Sequence, residues 1–205
     1  MRLADDMMLA PPLLERELRA RAGRLRLVIT DVDGTLTDGG VFYSERGEAL
    51  KRFSMRDGMG VERLRDDGVE TAFLTRETSS IVVRRAEKLR IKRVYQGVAD
   101  KEAAFPAIAV DAGVDPSQVA YIGDDVNDLG IMALVAERGL VAAPLDAFPS
   151  VLRLAHYRCA RTGGGGAFRD FAEWILVLRH LARRPQGVAV RLVAPRLDEK
   201  GGGRS

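Results

Sequence analysis

Short apolar runs recur along this chain, separated by longer segments in which apolar residues return at helical spacing. The runs Arg26–Thr30, Glu70–Leu74, Arg93–Tyr95, Val119–Ile122 and Gly139–Ala142 read as strands. Helical patterns lie between them at Gly60–Asp66, Ser79–Lys88, Lys101–Ala112, Val126–Val135 and Phe148–Leu154. Strands alternating with helices predict an α/β fold, a parallel sheet flanked by helices. One segment departs from the alternation. In Gly39–Ser54, Val41, Phe42 and Tyr43, a Glu-Arg-Gly turn and then Ala49–Phe53 predict a β-hairpin inserted after the first strand.

The ends of the strands carry the candidate chemistry. The first reads LVITDVDGTLTD and delivers Asp31 and Asp33 just before a Gly34-Thr35 turn, where an open parallel sheet places its ligands. Side chains alternate along a strand, so both carboxylates point the same way. Like charges that close need neutralising, and a pair of oxygen ligands in a turn suits Mg²⁺. The bland alternative is an acidic turn capping a helix. A second cluster weakens it: VAYIGDDVND ends another apolar strand in Asp124, Asp125 and Asp128, with Asn127 between them. Two strands that both end in carboxylates imply one shared metal site. Between them come Thr75, closing the strand Glu70–Leu74, and Lys101, which follows GVAD and opens a helix.

Composition bounds the reading. At 205 residues and 46% hydrophobic, the chain matches one domain with one good core. No apolar run reaches membrane-spanning length, and the start has no signal-peptide pattern, so a cytoplasmic protein is expected. The lone Cys159 excludes an intrachain disulfide. His156 and His180 lack partners at ligand spacing, so nothing supports zinc. The 32 basic residues nearly balance 29 acidic ones, and no aromatics interleave with the arginines near the end, which argues against a nucleic-acid partner. Residues 1–24 read as an N-terminal extension, 25–180 as the domain and 181–205 as a basic, disordered tail.

Taken in order, DxDGT, a strand-end Thr, a helix-start Lys and GDDxND resemble the four motifs of the haloacid dehalogenase superfamily of phosphatases. The resemblance implies a three-layer Rossmann-like parallel sheet, with Asp31 as nucleophile forming an aspartyl-phosphate and Asp33 as acid and base. It implies Mg²⁺ held by Asp31, the Asp33 main-chain carbonyl and Asp124, with Thr75 and Lys101 on the phosphoryl oxygens. Asp125, Asn127 and Asp128 would support them. Neither gap between motifs is long enough for a cap domain, so a capless enzyme is expected and a phosphomutase is disfavoured.

A narrower resemblance runs from about Leu25 to Leu178. It rests on DGxxxYxxxGExxKxF from Asp38 to Phe53, DGxG at Asp57–Gly60, RRAEKL at Arg84–Leu89 and a GGxGAxR-type segment at Gly163–Arg169. These resemble the phosphatases of eight- and nine-carbon 2-keto-3-deoxy sugar acids. That implies a homotetramer, associated through the hairpins, in which neighbours cap each other's sites and the Gly-rich segment reaches a neighbouring site. The eight-carbon branch usually reads Thr-Gly-Arg where this chain has Thr75-Arg76-Glu77, so Glu77 points to the nine-carbon branch, with 2-keto-3-deoxynononate or N-acylneuraminate 9-phosphate as substrate. The alternative is 3-deoxy-D-manno-octulosonate 8-phosphate. A reading of another class is a non-catalytic assembly module associated with a cytidylyltransferase. Candidate substrate contacts are Arg76, Glu77, Lys51, Arg56, Arg84 and Arg169.

Overall fold

The computed structural model describes residues 13–183. Residues 184–205 of the expected tail lie outside it. Six parallel strands form one sheet in the order β5-β4-β1-β6-β7-β8. They are β1 (Leu27–Thr30), β4 (Glu70–Leu74), β5 (Arg93–Tyr95), β6 (Val119–Ile122), β7 (Leu140–Ala143) and β8 (Tyr157–Arg158). The expected hairpin is β2 (Phe42–Ser44) against β3 (Gly47–Leu50), a separate two-stranded unit.

Strand periodicity divides the core in two. Val28, Phe73, Ala120 and Ile122 face one side, where they meet Ala22 of α1 (Glu15–Arg24), Leu64 of α2 (Met55–Asp66), Val82 of α3 (Ser80–Leu89) and Phe171 of α7 (Ala167–Ala182). Leu27, Ile29, Leu74 and Tyr121 face the other, against Phe105 of α4 (Lys101–Ala112), Ile131 of α5 (Leu129–Arg138) and Val151 of α6 (Pro149–Leu154). Three layers result, with β1 between β4 and β6 in the middle. Neither face of the sheet meets water, which is why the strands read as apolar runs. Among the described residues, no helix is long and apolar enough to cross a membrane.

Three elements depart from the sequence expectation. Residues 15–24, read as part of an extension, form α1. Its C-terminal carbonyls at Ala22 and Leu25 accept from the buried Arg179 guanidinium of α7, which also pairs with Asp67 at 2.5 Å. The second helix begins at Met55, capped by the Ser54 hydroxyl, and not at Gly60. Two glycines, poor helix formers, hide its first turns. Their reason is tertiary: a Cβ at Gly60 would stand 3.0 Å from Arg169 Cα, so the glycine lets α2 and α7 cross closely. Finally, β8 is only two residues long, too short for any pattern to reveal.

The same close crossing explains Asp57. Helix α7 starts from Gly166, which has φ 112° and no side chain to cap it. The carboxylate of Asp57, in the first turn of α2, replaces that cap from a distance, with Oδ1 accepting from Arg169 N at 2.9 Å. Burial pushes this carboxyl up to about 6, against the pull of the α7 N–H groups and Arg85. A carboxyl raised on folding binds its proton more tightly in the native state, so its contribution is present at low pH and is lost as pH rises from about 4 to about 6. The stability difference between wild type and Asp57→Asn, from urea unfolding, is therefore expected to fall by roughly 2–3 kcal/mol over that window. A difference that stays flat with pH would contradict this account.

Candidate active site

The site forms where β1, β4 and β6 end side by side. After Thr30 the chain stays in register for one more residue, with Asp31 N donating to Ile122 O at 2.9 Å. It then wraps around a single carbonyl: Val32 O accepts from Leu36 N and Thr37 N at 2.9 and 3.0 Å. Gly34 has φ 88°, and a Cβ there would lie 2.0 Å from Asp124 Oδ2. Only glycine lets the first carboxylate turn sit against the second one.

Asp31 is 4% exposed, and its Oδ1 lies 2.5 Å from Lys101 Nζ. Lys101, at the first position of α4, is 1% exposed and reaches Asp128 Oδ1 at 2.6 Å as well. Burial alone would lower the pKa of this lysine, but the two carboxylates overturn that and raise it. Asp128 is fully engaged. Its Oδ1 also accepts the Tyr121 hydroxyl at 2.6 Å, and its Oδ2 accepts from Asp124 N and Asp125 N at 2.9 and 3.2 Å. Burial, then the neighbouring Asp128, pushes Asp31 well above the usual carboxylate range and Asp124 up to about 7.

Carboxylate oxygens of Asp31, Asp124 and Asp128 lie within 4.8 Å of one another. Since both oxygens of Asp128 are already bound to donors, Asp31 and Asp124 are the pair free to meet a cation. Two buried, mutually repelling carboxylates form the hard-oxygen donor set that suits Mg²⁺. Thr35 Oγ1 donates to Asp124 Oδ1 at 3.1 Å and holds it over the turn.

The remaining candidates divide. Thr75 is buried at the end of β4, its hydroxyl accepting from Glu77 N at 3.2 Å. Arg76 and Glu77 follow it, exposed at the rim. Asp125 caps the short turn that carries Asp128, and Asn127 is exposed on that turn. Arg56 is exposed in the first turn of α2. Three further candidates have partners within the chain. The Lys51 side chain is 1% exposed and pairs with Asp33 at 2.5 Å. Arg84 is 84% exposed and pairs with Glu87 on its own helix. Arg169 is held by Glu173 at 2.7 Å. The Gly-rich segment packs against the carboxylate turn of its own chain, with Gly164 N donating to Thr35 O at 3.1 Å.

Sequence reasoning missed Tyr121 and Thr35. Tyr121 reads as one more apolar residue of a buried strand, and nothing local reveals that its hydroxyl meets Asp128. Thr35 had a signal, its place in the DGT turn one residue after Gly34.

No family model matches the chain. It is 38% identical over 170 residues to the 3-deoxy-D-manno-octulosonate 8-phosphate phosphatase KdsC of Yersinia pestis, spanning 83% of this chain and 89% of that one. Among solved structures it is similar to the cobalt-bound deoxy-D-mannose-octulosonate 8-phosphate phosphatase of Haemophilus influenzae, at TM-score 0.74 and 38% identity, over 79% of this chain and 93% of that one. It is also similar to the 3-deoxy-D-manno-octulosonate 8-phosphate phosphatase of Moraxella catarrhalis in complex with a magnesium ion, a phosphate ion and KDO. There the TM-score is 0.75 and the identity 33%, over 80% of this chain and 93% of that one.

A cation that relieves the repulsion between Asp31 and Asp124 binds only the folded state. Mg²⁺ at about a hundred times its dissociation constant is expected to add about 2.7 kcal/mol of stability, read as a rise in Tm by differential scanning calorimetry. Asp124→Asn should remove most of that rise. An equal rise in the variant would mean that the ion binds elsewhere.

Proposed function

This chain belongs to the KdsC-like phosphatases of the haloacid dehalogenase superfamily, and from that membership we propose that it hydrolyses the 8-phosphate of 3-deoxy-D-manno-octulosonate. The observation that carries the reading is the buried Asp31–Lys101–Asp128 chain beside Asp124, joined to the names of relatives at a third or more identity. Those relatives favour the eight-carbon ester over the nine-carbon one expected from Glu77. The nine-carbon reading keeps one argument: Glu77, exposed two residues after Thr75, is able to accept hydrogen bonds from sugar hydroxyls. An assembly module without activity is disfavoured by the intact carboxylate cluster.

The reaction follows from the roles these groups are suited to. Asp31 attacks phosphorus, and a bond to its carboxylate oxygen forms as the bond to the sugar oxygen breaks. Asp33 gives its proton to the departing oxygen. As a carboxylate it then takes a proton from water, whose oxygen displaces Asp31 from phosphorus and releases inorganic phosphate. Asp31, Asp124 and the Asp33 main-chain carbonyl would hold Mg²⁺, which when bound would supply positive charge against the phosphoryl group. Lys101, clamped by Asp128, fixes the nucleophile. Thr75 accepts from Glu77 N and so keeps its own hydroxyl proton for a phosphoryl oxygen.

A site without a cap domain is open, and we infer that a second copy of this chain closes it. The hairpin supports this, since Phe42, Tyr43 and Leu50 are 66%, 74% and 63% exposed, more large apolar surface than a lone two-stranded unit has reason to show water. The assembly expected is a homotetramer.

Two outcomes check these readings. In a panel of eight- and nine-carbon sugar-acid phosphates and hexose phosphates, kcat/KM should favour the octulosonate ester by tenfold or more, about 1.4 kcal/mol of discrimination. Asp31→Asn should lose on the order of 10³ or more in turnover. The same margin for a nine-carbon ester would reverse the substrate assignment in favour of Glu77. Light scattering should report a tetramer, and Phe42→Asp a smaller species with reduced activity. A wild-type monomer with full activity would sink the closure by neighbours.

A further inference from the structure

The hairpin does more than expose an apolar face. Immediately after β3, the Lys51 side chain turns inward, its Nζ 2.5 Å from Asp33 Oδ1 and 3.2 Å from Glu48 Oε2. Glu48 in turn accepts the Ser79 hydroxyl through its other oxygen. Ser79 is 4% exposed and is locked to Gln96 by two hydrogen bonds, N to Oε1 at 3.2 Å and Nε2 to the carbonyl at 2.9 Å. The chain of contacts runs from the loop after Thr75, through the hairpin, to Asp33. At its end the two oxygens of Asp33 are treated differently: Oδ1 is held by Lys51, while Oδ2 is buried with no hydrogen-bond partner among the described residues.

A buried carboxylate oxygen without a partner is costly, and it persists where a ligand supplies the partner. A carboxyl group also rotates easily about its last bond, so presenting one particular oxygen to a reacting atom requires that the other be held. We propose that Lys51 is a positioning residue for proton transfer: it holds Asp33 through Oδ1 so that Oδ2 meets the oxygen of the departing sugar, and Glu48 with Ser79 holds Lys51. This rests on Asp33 serving as the acid and base of the reaction above.

Leaving-group chemistry separates the two roles. A sugar alkoxide leaves poorly without a proton, whereas 4-nitrophenolate leaves without help, and kcat/KM reports the steps up to that departure. Values for the octulosonate 8-phosphate and for 4-nitrophenyl phosphate, both with Mg²⁺, are compared in wild type, Asp33→Asn, Lys51→Met, Lys51→Arg and Ser79→Ala. Lys51→Met is expected to lose about tenfold more on the sugar ester than on the aryl ester, with most of the loss in kcat. Lys51→Arg should recover part of it, because the charge and a donor remain. Equal losses on both esters, or a loss confined to KM for the sugar ester, would overturn the inference in favour of a packing or a substrate-binding role.

Asp33→Asn distinguishes this from failure of the underlying reading. If it loses equally on both esters, the acid and base assignment falls and the inference with it. If it is selective while Lys51→Met is not, only the inference falls. Should Lys51→Met fail to fold, Ser79→Ala carries the test, with a smaller loss of the same selectivity expected and equal losses on the two esters overturning it.

Discussion

Crowding of like charge away from water is the constraint around which this molecule is built. Asp31, Asp124 and Asp128 bring carboxylate oxygens within 4.8 Å of one another, with Asp31 and Asp128 almost fully buried. Such a cluster survives only if cations and donors compensate it. The protein supplies one buried cation, Lys101, and spends both oxygens of Asp128 on donors. What remains, Asp31 and Asp124, is the unbalanced pair that a magnesium ion completes.

Much of the motif spelling follows from making room for those charges. A Cβ at Gly34 would run into the Asp124 carboxylate, and one at Gly123 would lie 2.4 Å from Asp128 Cγ. The backbone around the cluster must therefore lack side chains at both approaches. The Gly-rich segment extends the same logic. A Cβ on Gly163 would fall 1.8 Å from Gly34 O, so the loop before α7 lies flat against the carboxylate turn and braces it. Asp57 holds the start of α7 in place from α2, and Asp146 accepts from Gly163 N at 2.9 Å. The turn that follows Asp31 is thus supported from the far end of the sequence, with only glycine able to make the contact.

The hairpin carries two burdens at once. Its outer face presents apolar side chains, and just beyond its second strand Lys51 reaches the Asp33 carboxylate. In the proposed assembly, the element that meets a neighbour is also the one whose end touches Asp33. Enzymes with cap domains place this coupling in a hinge. In the proposed assembly a short insertion between β1 and α2 takes that place.

The sequence by itself determined five of the six sheet strands, the helices that alternate with them and the carboxylate cluster, because each is written in local pattern. Apolar runs bounded by turns mark buried strands, and motif residues fall at strand ends regardless of what packs around them. It also identified Asp31, Asp33, Lys101 and Asp124 as one constellation, since the segments leaving the carboxyl ends of neighbouring parallel strands converge. Only the tertiary structure decided how polar side chains far apart in the chain share partners. Tyr121 on Asp128, Asp57 on α7 and Lys51 on Asp33 are pairings across 7 to 112 residues, and no local spacing encodes them. Arginines and lysines look alike in a sequence whether they wait for a substrate or are already neutralised. Burial and the nearest carboxylate make that choice, and both exist only once the chain has folded.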